Sequence, residues 1–113
     1  HIDFFIIFLT AGSFADIIGP TDTNGNIDGK KTDTVTLKCR FKSSSEYILI
    51  YWYKQYSNKT PQFLLYKGSR ASSHLKSTPA DRRLEAGTTR DITILTIRGL
   101  KLSDSALYHC SLR

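Results

Sequence analysis

The residues able to carry chemistry are few and lie in separate parts of this sequence. Cys39 and Cys110 are its two cysteines, and its histidines are His1, His74 and His109. Two distant cysteines without paired histidines do not supply the four ligands of a tetrahedral metal site. None of the histidines has the cysteine or glutamate spacing that would recruit a metal or activate a nucleophile. The sequence therefore predicts no metal site and no catalytic residue.

The sequence also lacks the motifs of common enzyme classes. It contains neither a Gly-x-Ser-x-Gly elbow nor a glycine-rich phosphate loop. Asp91 and Asp104 have no partner at a spacing that would make an acid–base pair. We therefore expect a protein that is not an enzyme, with no cofactor and no small-molecule substrate.

The charge of the chain is positive but dispersed. The formal net charge is +6, from 16 lysines and arginines against 10 acidic residues. These cations are scattered singly over predicted strands and turns, whereas nucleic-acid-binding proteins gather them into one patch. The pattern argues against a nucleic-acid partner. A basic loop that meets an acidic protein surface remains open.

One modification signal is present. Asn58, Lys59 and Thr60 form an N-glycosylation sequon in a polar stretch that we expect to be a surface turn. Pro61 directly after the threonine lowers the expected occupancy, and three-residue matches often arise by chance. Asn58 is also the residue of this turn best suited to a left-handed conformation.

Strands with one buried face must position these residues. Leu37 and Cys39 alternate with polar neighbours, which is the period of such a strand. Leu95 and Ile97 have opposite parity from the two isoleucines just before them, so one set faces outward or a bulge intervenes. We place Leu95 and Ile97 in the core.

Three motifs carry a family resemblance. The chain has Trp-Tyr-Lys-Gln-Tyr at residues 52–56, Pro-Gln-Phe-Leu-Leu-Tyr at 61–66 and Asp-Ser-Ala-Leu-Tyr-His-Cys at 104–110. Together with Cys39 they resemble the variable segment of a T-cell receptor alpha or delta chain, which is an immunoglobulin V-set domain. The match spans most of the chain. It implies an all-β fold, the two-sheet sandwich of immunoglobulin variable type.

The resemblance assigns roles to the central residues of this fold. It implies a Cys39–Cys110 disulfide between the sheets, packed on a buried Trp52. Tyr108, two residues before Cys110, would form the tyrosine corner. A disulfide implies an oxidising compartment. Two free buried thiols in a cytosolic protein are the alternative.

An ion pair is expected beside the tyrosine corner. The family places an arginine at the start of a strand, where it pairs with the aspartate before the corner. We assign Arg83 to Asp104, and Arg82 is the alternative partner.

The extent of the domain follows from both ends of the sequence. The apolar run at residues 4–9, followed by small residues at Ser13 and Ala15, fits a signal-peptide remnant at residues 1–15. The alternative is that this run is itself a buried strand. Residues 16–113 would then be the variable domain. It would lack the final Phe-Gly-x-Gly strand, which a joining segment supplies in the family, and the edge of the last strand would be unpaired.

The resemblance also implies three ligand-contacting loops at one end of the sandwich. Two of their residues, Lys67 and Arg70, would give the second loop positive charge. The loop residues are Ser43, Ser44, Ser45, Glu46 and Tyr47 in the first loop, Lys67, Gly68, Ser69 and Arg70 in the second, and Ser111, Leu112 and Arg113 at the base of the third.

The outer face of one sheet is expected to pair with a second variable domain. Tyr53, Pro61 and Phe63 would supply apolar contact, and Gln55 would exchange amide hydrogen bonds with its counterpart. His109 departs from the family, which more often has tyrosine there. It would make the contact more polar and weakly pH-sensitive.

The resemblance thus implies an antigen-recognition domain of a T-cell receptor alpha-type chain. Its partners would be a beta-chain variable domain and a peptide held by a major histocompatibility molecule. It would reach the plasma membrane through the secretory pathway, attached to a constant region outside this sequence. A delta chain is a close variant. The alternatives are a non-rearranging innate receptor or adhesion module and an immunoglobulin light chain.

Overall fold

The computed structural model describes residues 2–8, 10–13, 16–20 and 26–113, with side chains from residue 30 onward. All its long elements are strands, and a single 3₁₀ turn, Leu102–Asp104, precedes the last strand. In chain order the strands are β1 (Ile2–Phe8), β2 (Thr10–Ser13), β3 (Asp16–Pro20), β4 (Asn26–Lys30), β5 (Val35–Lys42), β6 (Tyr47–Gln55), β7 (Gln62–Arg70), β8 (Leu84–Thr88), β9 (Ile92–Ile97) and β10 (Ala106–Leu112).

Two five-stranded sheets form the sandwich. The first has the order β4-β1-β10-β6-β7, and the second has the order β2-β3-β5-β9-β8. Every pairing is antiparallel except that of β1 with β10, which is parallel. The all-β sandwich predicted from the sequence is confirmed.

The edge of β10 is paired, contrary to expectation. β1 lies beside it in parallel register, from Phe5 opposite Ala106 to Phe8 opposite His109. All of β1 and all of β2 fall within the predicted leader, which stays a prediction. The alternative of a strand at residues 4–9 overlaps β1. Residues 1, 9, 14 and 15 of that segment lie outside the described residues, among them the predicted cleavage site at Ala15.

The second sheet follows the predicted alternation. β5 buries every second side chain from Val35 to Phe41, which continues the alternation seen at Leu37 and Cys39. β9 buries Thr93, Leu95 and Ile97, and its two isoleucines at the other parity face outward. The β5–β9 register runs without interruption, so no bulge is needed to reconcile the two parities.

The core lies between the sheets around the disulfide. Cys39 and Cys110 are bridged across 71 positions, and closing a loop of that length stabilises the fold by about 4 kcal/mol through the unfolded state. Trp52 is fully buried beside them, and its indole N–H donates to the Thr93 hydroxyl at 3.2 Å. The buried polar end of the indole is therefore satisfied, as a close-packed core requires. Tyr108 is also buried.

β7 is longer than the sequence indicates. Residues 67–70 were expected in the second loop, yet pairing with β6 continues to Arg70, which lies opposite Tyr47. The chain then turns back, so that the Gly68 N–H donates to the Leu75 carbonyl at 2.8 Å. A Cβ on Gly68 would lie 1.9 Å from the Ser72 carbonyl oxygen, so only glycine fits there.

Candidate pairing face and loop end

Four aromatic rings form a continuous cluster on the outer face of β6 and β7. Tyr51 stacks on Tyr66 at 5.4 Å between ring centroids, and Phe63 lies 5.8 Å from Tyr51 and 6.0 Å from Tyr53. Phe63 is half exposed, at 50% of its surface. A contiguous exposed aromatic surface of this kind is typical of a protein interface.

A bulge brings these rings to one face. Tyr53 pairs with Phe63, whereas the adjacent Trp52 pairs with Leu65, so Leu64 is an extra residue in β7. Without it, Phe63 and Tyr66 would point to opposite faces, because three positions separate them. Tyr66 was not among the predicted interface residues, and no signal in the sequence fixes the position of the bulge.

Gln55 and His109 are joined on the same face. The Gln55 side-chain N–H donates to the Lys59 carbonyl at 2.9 Å, which fixes the amide orientation. Its oxygen lies 2.8 Å from His109 Nε2, so Nε2 carries the proton and donates. Burial lowers the pKa of His109 below its ordinary value of 6.5, and the ring is neutral at neutral pH. Each amide atom of Gln55 thus already has one bond within the chain.

A shallow pocket opens next to this pair. Tyr53, Pro61, His109 and Ser111 line a cavity of about 230 Å³. It has room for one side chain of a partner. Ser111 was expected at the base of the third loop, but it lies within β10 and faces the pocket instead.

The other two residues expected at the base of the third loop pack against the sandwich. Leu112 is 3% exposed and belongs to the core. Arg113 exchanges backbone hydrogen bonds with Leu49, at 2.8 and 3.3 Å, and its guanidinium lies over the Tyr51 ring, 4.7 Å from the centroid. Leu112 is therefore part of the core, and Arg113 extends the aromatic cluster as a cation–π partner.

The first loop lies between β5 and β6, at residues 43–46. Ser43, Ser44, Ser45 and Glu46 form it, and Tyr47, the first residue of β6, is 75% exposed. The Ser45 hydroxyl accepts from the Tyr47 N–H at 3.0 Å, and the Ser43 hydroxyl accepts from the Ser45 N–H at 3.1 Å. Serine side chains thus replace the backbone partners that a tight connection lacks.

The residues expected in the second loop are built into the sandwich. Lys67, Gly68, Ser69 and Arg70 all belong to β7, and Gly68 and Ser69 are buried. The Lys67 ammonium donates to the Ser73 and Gly68 carbonyls. The Arg70 guanidinium also donates only to main-chain carbonyls among its hydrogen bonds in the described part of the chain. The residues expected in a positively charged second loop therefore lie in a strand, with both cations bound to main-chain carbonyls.

A turn that the sequence did not indicate borders the first loop instead. Arg90, in the connection between β8 and β9, forms a forked pair with Glu46 at 2.8 and 3.4 Å. The hydrogen bond from Arg90 lowers the pKa of Glu46. Both side chains are more than half exposed. Because the pair joins residues 44 positions apart in the chain, no local spacing could have revealed it.

Arg83 and Asp104 are paired at the far end of β9. The guanidinium donates twice to the Asp104 carboxylate, at 2.7 and 2.8 Å, and twice to that of Asp81, at 2.9 and 3.3 Å. Burial opposes ionisation of Asp104, but the bonds from Arg83 and from the Lys101 N–H outweigh it, so the pKa of Asp104 lies below its ordinary value of 3.8. Arg82, the alternative partner, is exposed.

The Asp104 main chain completes the tyrosine corner. The Tyr108 hydroxyl donates to the Asp104 carbonyl at 2.6 Å. Burial, and then the negative charge of Asp104, raise the pKa of Tyr108 well above its ordinary range. One aspartate therefore fixes both the arginine and the tyrosine at the entrance to β10.

Asn58 occupies the turn between β6 and β7. It is exposed, and its φ of 58° is the left-handed conformation expected from the sequence. Within the described residues no group of three or more His, Cys, Asp or Glu side chains could hold a metal ion. The same part of the chain has no helix of the length and apolar character that crossing a membrane requires.

Comparisons with known proteins agree on one family. Residues 22–113 match the family model described as the immunoglobulin V-set domain. The chain is similar to T cell receptor alpha variable 18 of Homo sapiens, with 34% identity over 82% of this chain and 79% of the relative. It is similar to the Ig kappa chain V region K-25 of Oryctolagus cuniculus, with 33% identity over 80% and 78%. T cell receptor beta variable 7-7 of Homo sapiens is 33% identical over 73% and 70%.

Proposed function

Because the chain belongs to the immunoglobulin V-set domain family, we propose that it is the antigen-recognition domain of a T-cell receptor alpha-type chain. Family membership makes it a variable-type domain of immune receptors and a non-enzymatic one. The alpha and kappa relatives have similar sequence identity to this chain, so identity does not separate them. The alpha assignment is supported instead by the motifs at residues 61–66 and 104–110. A delta chain is a close variant.

The aromatic face of β6 and β7 is the observation that carries this proposal. It combines an exposed Phe63 and a pocket beside Tyr53 that has room for one side chain of a partner. His109 is neutral and adds no charge to this face. A partner that covers this face removes aromatic surface from water at about 25 cal/mol per Å². A beta-chain variable domain is the proposed partner.

The loop end, defined by residues 43–47 and 89–91, is the proposed contact with a peptide held by a major histocompatibility molecule. Tyr47 is the large exposed aromatic there, and Glu46 and Arg90 present opposite charges beside it. Tyrosine and arginine are the residue types that most often dominate binding surfaces.

The leader and the cell-surface location belong to the same proposal. Residues 1–15 would direct residues 16–113 into the secretory pathway, and a constant region would hold the domain at the plasma membrane. A glycan at Asn58 would lie on the exposed turn at the border of the aromatic face. N-terminal sequencing of the secreted form tests the leader, and a glycosidase mobility shift tests Asn58.

Pairing is tested with two matched aromatic substitutions. Phe63→Ser removes the half-exposed ring of the pairing face, and Tyr47→Ser removes a more exposed ring at the loop end. Co-expressed with a beta-chain variable domain, the chain should form a heterodimer. Phe63→Ser should weaken it at least about tenfold, whereas Tyr47→Ser should leave it unchanged. A chain that stays monomeric, or equal effects of the two substitutions, would refute pairing through this face.

An immunoglobulin light chain is the second candidate, favoured by the similarity to the rabbit kappa region. Sequencing transcripts through Arg113 separates the candidates. Variable junctions that lead into Phe-Gly-x-Gly and an alpha-type constant region support the proposal. A kappa-type constant region would establish the light chain. An invariant continuation into a membrane helix would indicate an innate receptor or adhesion module.

A further inference from the structure

Arg70 joins three segments that are far apart in the chain. Its Nη1 donates to the carbonyls of Ser43 and Ser45, both at 2.6 Å, and its Nε donates to the carbonyl of Arg90 at 2.9 Å. These acceptors belong to the first loop and to the turn at residues 89–91. One side chain therefore spans the loop end.

The backbone at Arg70 is shaped for this contact. Its φ is 57°, a left-handed conformation that is uncommon outside glycine and asparagine. This turn directs the next N–H, that of Ala71, to the Glu46 carbonyl at 2.9 Å. The guanidinium also lies 5.8 Å from the Phe41 ring centroid, close to the core. Main chain and side chain thus hold the first loop from the same residue.

The turn at residues 89–91 has its own attachment to β7. The Ser69 hydroxyl donates to the Thr89 carbonyl at 2.5 Å, and the Thr88 hydroxyl donates to the Gly68 carbonyl at 2.7 Å. Within the described part of the chain, residues 43–46 are joined to this turn by the Arg70 side chain and by the exposed Glu46–Arg90 ion pair. Exposed ion pairs contribute little to stability.

We propose that Arg70 is a positioning residue that holds the first loop and the turn at residues 89–91 as one unit at the loop end. The inference rests on the proposed function, in which this end contacts the ligand. The unit presents Glu46, Tyr47 and Arg90 together. A preorganised surface binds more tightly because less conformational freedom is lost on binding.

The fork of arginine is required, and positive charge alone does not suffice. Two of the carbonyls bind Nη1 and the third binds Nε, and a planar guanidinium offers such fixed donors, whereas lysine offers one compact ammonium group. Arg70→Lys therefore keeps the charge and removes the geometry, and Arg70→Gln removes both. Arg98→Lys is the matched control, because Arg98 makes an exposed ion pair with Glu85 at the other end of β9.

Hydrogen exchange of the disulfide-bonded chain tests the proposal without any ligand or partner. The reporters are the N–H groups of Tyr47, Ala71 and Thr89, which are hydrogen-bonded at the loop end. Both Arg70 variants should speed their exchange about tenfold, as expected for losing a hydrogen-bonded guanidinium. The exchange rates of the core N–H groups of Leu37 and Leu95 should change no more than the change in global stability requires. Arg98→Lys should alter the exchange rates of neither the loop-end nor the core N–H groups.

Two results would overturn the proposal. If exchange rises uniformly over loop end and core, Arg70 contributes to global stability and does not position the loop. If Arg70→Lys exchanges like the unsubstituted chain, the charge suffices and the fork is irrelevant. Because no partner is present in the measurement, either result leaves the pairing of the aromatic face untouched, and failure of pairing leaves this inference standing.

Discussion

Two arginines hold opposite ends of the sandwich by different means. Arg83 binds the carboxylates of Asp104 and Asp81, with its own side chain 23% exposed and that of Asp104 only 3% exposed. Arg70 binds three main-chain carbonyls that carry no charge. The first contact joins ionised groups, and the second joins a cation to fixed dipoles.

The difference lies in what each arginine leaves behind when it is removed. Without Arg83, the buried Asp104 carboxylate loses its counter-charge, which is costly because an uncompensated charge is left away from water. Without Arg70, the carbonyls of an exposed loop can bind water instead. We therefore expect Arg83 to govern the stability of the whole fold and Arg70 to govern the order of one surface.

Replacing Arg83 should give the largest loss of stability among these arginines. Arg83→Ala should lower the free energy of unfolding by about 3 kcal/mol, the low end for a broken buried pair because Arg83 is partly exposed. Urea denaturation of the disulfide-bonded chain measures it. Arg82→Ala, at the exposed neighbouring position, should change stability by less than about 0.5 kcal/mol. Equal losses for both variants would contradict the assignment.

Acid should weaken the Arg83 end and spare the Arg70 contacts. The pKa of Asp104 is lowered in the folded state, so the stability that it contributes is complete above about pH 3.8 and is lost as the pH falls below that value. The main-chain acceptors of Arg70 do not titrate. In Asp104→Asn, the urea concentration at the unfolding midpoint should therefore depend less on pH below about 3.8 than it does in the unsubstituted chain. A midpoint that falls equally in the variant would assign the loss to other carboxylates.

A third arginine, Arg98, should give the smallest loss of stability when it is removed. Arg98 pairs with Glu85 at 2.6 Å, but both side chains are more than half exposed. Arg98→Ala should change the free energy of unfolding by no more than about 0.5 kcal/mol, because water screens such pairs. Thermal unfolding at low and high salt measures this. A loss close to that of Arg83→Ala would show that burial does not separate the arginines.

The parts of the fold that residue types alone specify could be predicted. Cys39, Trp52 and Cys110 stand in the order of a V-set core, and the arginine–aspartate pair follows from a motif. Leu95 and Ile97 follow from strand alternation. Such features depend on side-chain chemistry at fixed offsets, which a single sequence displays.

The features that depend on strand register could not be predicted. Lys67 and Arg70 were predicted to lie in a positively charged loop, because the polar residues after Tyr66 show no strand alternation. The pairing of β7 with β6 nevertheless continues to Arg70. Tyr66 was missed because the bulge at Leu64 reverses the parity of half a strand. The pairing of β1 with β10 is likewise a contact between distant segments, which no local pattern encodes.

The bulge in β7 has a further consequence for shape. A bulge bends its strand and increases the local right-handed twist. Such a bend lies between Phe63 and Tyr66, so we expect the aromatic face to curve between these two rings. A flat partner would leave gaps on such a surface, whereas a domain that carries the matching curvature can meet it throughout. The curvature of the face, as well as its apolar character, is therefore expected to limit what can dock there.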